Sequence, residues 1–232
     1  MSDTGHAITD TNPGLSLGQA ALIAGASLFV MMLCAPFAEF YALPRLIIAE
    51  DIEATLDNIS EQRNLYVAAL WAIFTNYVAD IIVAWALYIF FAPVHRGLSL
   101  LAALFQLVYA GLGLAALMNL FAVLNIQDAP QLQSLTTGAD QSALLLAAYR
   151  FEWGVSLVLF GIHLVLIGWL SIKAAYVPKF VGYLLTIAGA GYALFVIGGY
   201  VLPDVNLGIL TLTFLLEPVF MVWLLWRGRH LR

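Results

Sequence analysis

The stretch from Gln141 to Ile172 constrains the fold more than any other. It runs for 32 residues without proline and is apolar enough to cross a bilayer, yet it carries Arg150, Glu152 and His163. A transmembrane helix needs about 20 largely apolar residues. Ionisable groups inside one are expensive, so they call for buried partners and mark a functional-site hypothesis. An Arg150 or Glu152 pointing at lipid tails with nothing nearby would remove the case for a working interior and leave only the number of crossings.

Composition places the rest of the chain in the same class. It is 63% hydrophobic and 10% charged, with a mean hydropathy of +0.94. Soluble domains carry about a quarter charged residues. Apolar runs of about 18 or more residues recur, so the expected fold is all-α, a polytopic membrane protein with six transmembrane helices in one bundle. Continuous runs exclude a porin-type barrel, whose strands alternate over about ten positions. A net charge of −5 excludes a nucleic-acid partner, which needs a basic face. The lone Cys34 excludes an intrachain disulfide or a cysteine cluster.

Six spans are expected at about 17–43, 65–92, 98–126, 141–172, 180–202 and 205–226, together forming one domain over 17–226. Residues 1–16 read as a polar tail without the basic start of a cleavable leader, and 227–232 as a basic cytoplasmic tail. Pro36 removes a donor to the Met32 carbonyl and should kink the first span. Between spans one and two, Ile52, Leu56 and Ile59 recur opposite a row of acids, which predicts a short amphipathic helix at the interface. Glu217-Pro218 interrupts span six and leaves the Phe214 carbonyl without its donor.

Lysine and arginine set the orientation. With both termini cytoplasmic, Arg96, Lys173, Lys179, Arg227, Arg229 and Arg232 lie inside and only Arg45 and Arg63 outside. Trp169, Tyr176, Trp223 and Trp226 then belt the inner interface, and Tyr41 and Tyr66 the outer one. The expected setting is the bacterial inner membrane.

The candidate binding residues are Glu39, Asn76, Asp80, Asn119, Arg150, Glu152, His163 and Glu217, with Gln106 as an uncharged companion. Glu152, Ser156 and His163 share one helical face, a stripe running inward from the outer third of the membrane. Arg150 points about 200° away from Glu152, in line with Gly154, Gly161 and Gly168, whose seven-residue repeat suits close helix packing. Both faces of span four are therefore expected inside the bundle, with Glu39 as the preferred partner of Arg150 and Glu217 the second. Asn76 and Asp80 sit one turn apart near the midplane. Glu217 beside a broken helix suits a cation or a proton. No catalytic or metal set is assigned: motifs of proteases, hydrolases and P-loops are missing, and His163 has no second intramembrane histidine with which to hold haem.

Four stretches carry a family likeness: Phe37-Ala38-Glu39-Phe40, Leu87-Tyr88 through Pro93-Val94-His95-Arg96, Phe160-Gly161-Ile162-His163 through Pro178 to Gly189, and Glu217-Pro218 through Trp226-Arg227-Gly228. They resemble the bacterial integral membrane proteins grouped as domain of unknown function 4386, over nearly the whole chain after the first twenty residues. The resemblance implies acids such as Glu39 and Glu217, a histidine such as His163, and often a base where this chain has Gln106. The family carries no assigned activity.

Three functions are compatible with these residues. The first is a protein that binds or translocates a small solute, an ion or a proton in its polar interior. The second is an accessory subunit of a larger membrane complex or a homo-oligomer, docked through small-residue faces. The third is a membrane enzyme with Glu152 and His163 as acid and base. No cofactor is assigned.

Overall fold

A computed structural model describes residues 14–129, 138–202 and 204–231. The described residues are helical, with no strand among them. The expected tail is thus seen only from Gly14, and most of the 127–140 connection, Pro203 and Arg232 lie outside the described residues.

Helix α1 (Leu17–Pro36) starts at Ser16, whose side chain accepts from the Gln19 amide while the Gln19 side chain accepts from the Ser16 amide, a reciprocal cap. Pro36 does not simply kink it. The chain widens into a π-helical turn over Phe37–Ala42, with the Leu43 amide bonding to the Ala38 carbonyl, and then closes with α2 (Leu43–Leu46). A π-turn accommodates the donor that proline withholds, and such turns concentrate at functional positions. Glu39 lies inside this one.

Helix α3 (Ile52–Glu61) is the expected amphipathic element. Asp51 caps its start, and Thr55, almost fully buried, accepts from the Ile48 amide and ties the preceding turn to the helix. Ile59 is buried and Ile52 and Leu56 pack against the core. The acids face away from it.

Helix α4 (Arg63–Asp128) holds spans two and three as one helical segment of 66 residues, interrupted only at His95 (φ −162°, ψ 95°). A straight helix of that length would reach about 100 Å. This one doubles back. Tyr66 Oη donates to the Leu120 carbonyl, Gln106 Nε2 to Asp80, and Ser99 Oγ to the Leu87 carbonyl. All three pairs are centred on position 93, so an antiparallel hairpin turns at Pro93-Val94-His95. The five-residue loop expected there shrinks to one extended residue, because the His95 ring accepts from the Leu98 amide and caps the returning arm. Arg63 and Asp128 close the open end with a two-point ion pair, half exposed and so weakly stabilising. Tyr66, expected in the outer aromatic belt, is fully buried, because its hydroxyl has this backbone partner inside the hairpin.

Helix α5 (Gly138–Lys173) packs on α4 with one face and on α6 (Lys179–Val201) with another. The α5–α6 contact is a double glycine crossing. A Cβ on Gly161 would lie 2.6 Å from the Gly189 carbonyl oxygen, and one on Gly168 would lie 2.7 Å from that of Gly182. The two antiparallel helices therefore touch backbone to backbone, seven residues apart along each. Gly154, third in the repeat, has open space around it.

Span six is a change of helix type at the expected break. Gly208–Leu216 is a 3-10 helix of nine residues and α7 (Glu217–Trp226) is α-helical, with Pro218 in its first turn. A 3-10 run this long is uncommon and marks a hinge or strain. A last 3-10 turn, Gly228–His230, packs on the start of α1.

Five helical segments are long and apolar enough to cross a membrane, with α4 counted once. The outside of the bundle is apolar: Phe40, Trp71, Trp85, Met118, Leu194 and Ile209 are each at least half exposed. That surface suits lipid, and the chain is read as a multi-pass membrane protein. Gly168→Ala is expected to cost about 1–3 kcal/mol, because its new methyl meets the α6 backbone. Gly154→Ala should be neutral or slightly stabilising. Denaturant unfolding of the purified protein in detergent compares the two.

Candidate functional site

Position along the helices sorts the candidates by depth. Arg150 and Lys173 are 23 residues apart on α5, about 34 Å at 1.5 Å per residue. That matches a hydrocarbon core of about 30 Å with one base at each face. Arg150 is exposed and makes no hydrogen bond or ion pair among the described residues. This overturns the expected burial of Arg150 and its pairing with Glu39 or Glu217. At the boundary a long basic side chain reaches headgroups and water without a protein partner.

One residue earlier on the helix, Tyr149 is buried and donates to Glu39 Oε1. The π-turn of α1 and the start of the α5 span thus meet through a phenol and a carboxyl. Glu152 is half-buried beside them in depth, and its Oε2 accepts from Asn119 Nδ2 at 2.9 Å. Ser156 Oγ donates to the Trp153 carbonyl at 2.7 Å. His163 Nδ1 lies 2.8 Å from the Ala102 carbonyl oxygen. A carbonyl only accepts, so Nδ1 carries the hydrogen and Nε2 is left to face elsewhere. The expected stripe of Glu152, Ser156 and His163 does share one face of α5. Glu152 and His163 meet the returning arm of α4 along it.

The deepest cluster gathers three helical segments. Asp80 has no exposure at all. Its Oδ2 accepts from Asn76 Nδ2 at 3.3 Å and its Oδ1 from Gln106 Nε2 at 3.1 Å. Glu217 is half-buried, and its Oε1 accepts from Tyr192 Oη at 2.6 Å. The Tyr192 ring is fixed by stacking on Phe214, with centroids 3.9 Å apart, and by an edge contact with Phe160. Phe160 also stacks on His163 and leans on Tyr109, so one apolar ring orients three polar ones.

Between these groups lies a cavity of about 20 Å³, lined by Gln106, His163 and Glu217 among apolar side chains including Leu28, Val83 and Phe220. That is room for one water-sized occupant. Gln106 is almost fully buried and its Oε1 has no partner, while its amide nitrogen holds Asp80. An orphaned buried acceptor is costly unless something fills the space next to it.

The chemical character of the interior is therefore acidic and neutral, not ionic. Asp80, Glu39, Glu152 and Glu217 all accept from amides or phenols, and the one ion pair among the described residues is the exposed Arg63–Asp128. Among the described residues no three of His, Cys, Asp and Glu gather as a metal-binding group. Sequence reasoning missed Tyr149 and Tyr192, and gave Gln106 only a companion's place. Their signal is a hydroxyl or amide in mid-span, since a buried Tyr or Gln there needs a polar partner.

Residues 23–228 match the family described as Domain of unknown function (DUF4386). The chain belongs to that family. It is also similar to a protein described as uncharacterized from Archaeoglobus fulgidus, 34% identical over 162 residues, covering 68% of this chain and 83% of the relative. No solved structure matches it.

Gln106→Leu strips Asp80 of one of its two donors at full burial, and is expected to cost about 1–3 kcal/mol. Asn119→Leu, at the half-exposed rim, should cost less than about 1 kcal/mol, because water can replace the lost donor to Glu152. Unfolding of each variant in the same detergent measures both.

Proposed function

We propose that this DUF4386 protein binds a proton or a small monovalent cation in its interior and translocates it across a bacterial cytoplasmic membrane, through a bundle of six crossings with both termini inside. One observation carries the reading. Gln106, which donates to the buried Asp80, lines a water-sized cavity together with His163 and Glu217, each on a different helical segment, and no lysine or arginine stands in its wall. A buried carboxyl with no basic neighbour is met by neutral donors, a proton or a cation. The resemblance often puts a base at position 106, which would neutralise Asp80; here an amide stands there instead.

The surroundings fit a charge that enters from one side. At the end of the bundle holding α3, the described residues include eight acids (Glu50, Asp51, Glu53, Asp57, Glu61, Asp128, Asp140 and Asp204) against Arg45, Arg63 and Arg150. Such an excess concentrates cations locally. Below that rim lie the Glu39–Tyr149 pair, the packed rings of Tyr77 and Tyr109, and Asp80 with its Gln106 donor. On the far side, Phe90, Phe91, Phe220, Trp223 and Tyr176 pack ring against ring and close the path. The 3-10 to α junction at Glu217 is the natural hinge for opening it.

The other two readings have less support. Gly161, Gly168, Gly182 and Gly189, the small-residue faces that suited docking, are used inside the bundle. A cavity of about 20 Å³ is too small for an organic substrate at His163.

The test is flux in proteoliposomes carrying an internal pH dye, under an imposed pH gradient and membrane potential. Wild-type protein should move protons faster than empty vesicles, and Asp80→Asn and Glu217→Gln should each return the rate to that of empty vesicles. Parallel vesicles with internal sodium or potassium dyes identify a metal cation instead. Flux equal to empty vesicles in all three assays sinks the proposal.

A further inference from the structure

The end of the bundle opposite the acidic rim carries a different chemistry. Arg96, Lys173, Lys179, Arg227 and Arg229 lie there, and no acid accompanies them among the described residues. None of the five is in an ion pair with a described carboxylate. Lys173 lies over the Trp169 ring and Arg227 over Trp226, while Arg96 reaches the Tyr88 hydroxyl. The Tyr176 hydroxyl donates to the Phe90 carbonyl at 2.6 Å, and the backbone of Arg229 and Leu231 lies against Gly18.

A cleft of about 530 Å³ opens in this end, between the turn that joins α5 to α6 and the end of α7. Its volume falls within the range of small-molecule sites, about 300–1,000 Å³. Arg227 and His230 line one side. Tyr176 and Trp223 form an aromatic floor, held in place through Phe90. Val177, Pro178 and Leu231 supply apolar wall. Arg229 lies within the same turn and donates to His230 Nε2, and Lys179 follows Pro178 directly.

We propose that this cleft seats the phosphate headgroup of an anionic phospholipid, with Arg227 and its neighbours on the phosphate and the apolar wall against the first acyl carbons. Three features select that occupant. The lining holds a base and no acid, so a neutral or cationic headgroup gains nothing. Among the described residues these bases have no carboxylate partner, which suits an anionic ligand. The floor is aromatic and amphipathic, as side chains at a headgroup boundary are. The site is separate from the acidic interior, and its fate does not depend on whether that interior moves a cation.

The experiment is native mass spectrometry of the full chain in neutral detergent, titrated with phosphatidylglycerol or phosphatidylcholine. Wild-type protein should retain phosphatidylglycerol and not phosphatidylcholine. Arg227→Gln should weaken that retention about five-fold, and Arg227→Gln with Arg229→Gln about 25-fold. Arg45→Gln, at the acidic end, should leave it unchanged. Equal retention of the two lipids, an equal loss in Arg45→Gln, or displacement by inorganic phosphate alone would overturn the proposal. Should the Arg227 variants fail to fold, wild-type protein at rising salt decides it: phosphatidylglycerol retention must fall, and salt-independent retention rules the site out.

Discussion

Everything polar inside this protein depends on one constraint: acids buried in an apolar bundle must find donors, and among the described residues no lysine or arginine pairs with them there. Each deep carboxyl meets this with phenols or amides, from other helical segments or from the facing arm of the α4 hairpin. Tyr149 serves Glu39, Tyr192 serves Glu217, and Gln106 serves Asp80 with help from Asn76 one turn away. Neutral donors satisfy lone pairs without cancelling charge. An interior built this way suits the proton or cation proposed above. An interior of matched salt bridges would not.

The helices are arranged so that these donors can arrive. The α4 hairpin brings Gln106 opposite Asp80 because its turn at His95 costs a single residue. The glycine crossing of α5 and α6 lets the two helices approach closely enough for Tyr192 to stand beside Phe160. Pro36 and Pro218 change the helix type instead of breaking the chain, and each change places a glutamate: Glu39 within the π-turn, Glu217 at the head of α7. Irregular helix is tolerated at such depth only where protein or a polar cavity satisfies it.

The two ends of the molecule are also unlike. One end is rich in acids, and the other carries bases beside packed aromatic rings. The proposed cation and the proposed anionic headgroup are consistent with this one charge distribution.

The sequence by itself determined the class, the helix positions and most of the polar inventory. Apolar length is a local property, so the long apolar helices could be read from it, as could the amphipathic α3 and the shared face of Asn76 with Asp80. The family could be read from motifs. Partnership could not, because it depends on which neighbour faces which, and that is set by register between helices. Arg150 shows the difference: counted as an intramembrane charge from its sequence neighbours, it lies at the boundary, and Tyr149, 100° around the same helix, takes the inward place. Only the tertiary structure decided that the buried acids are met by neutral donors and not by Arg150, because a single residue of rotation separates a core side chain from an outward-facing one.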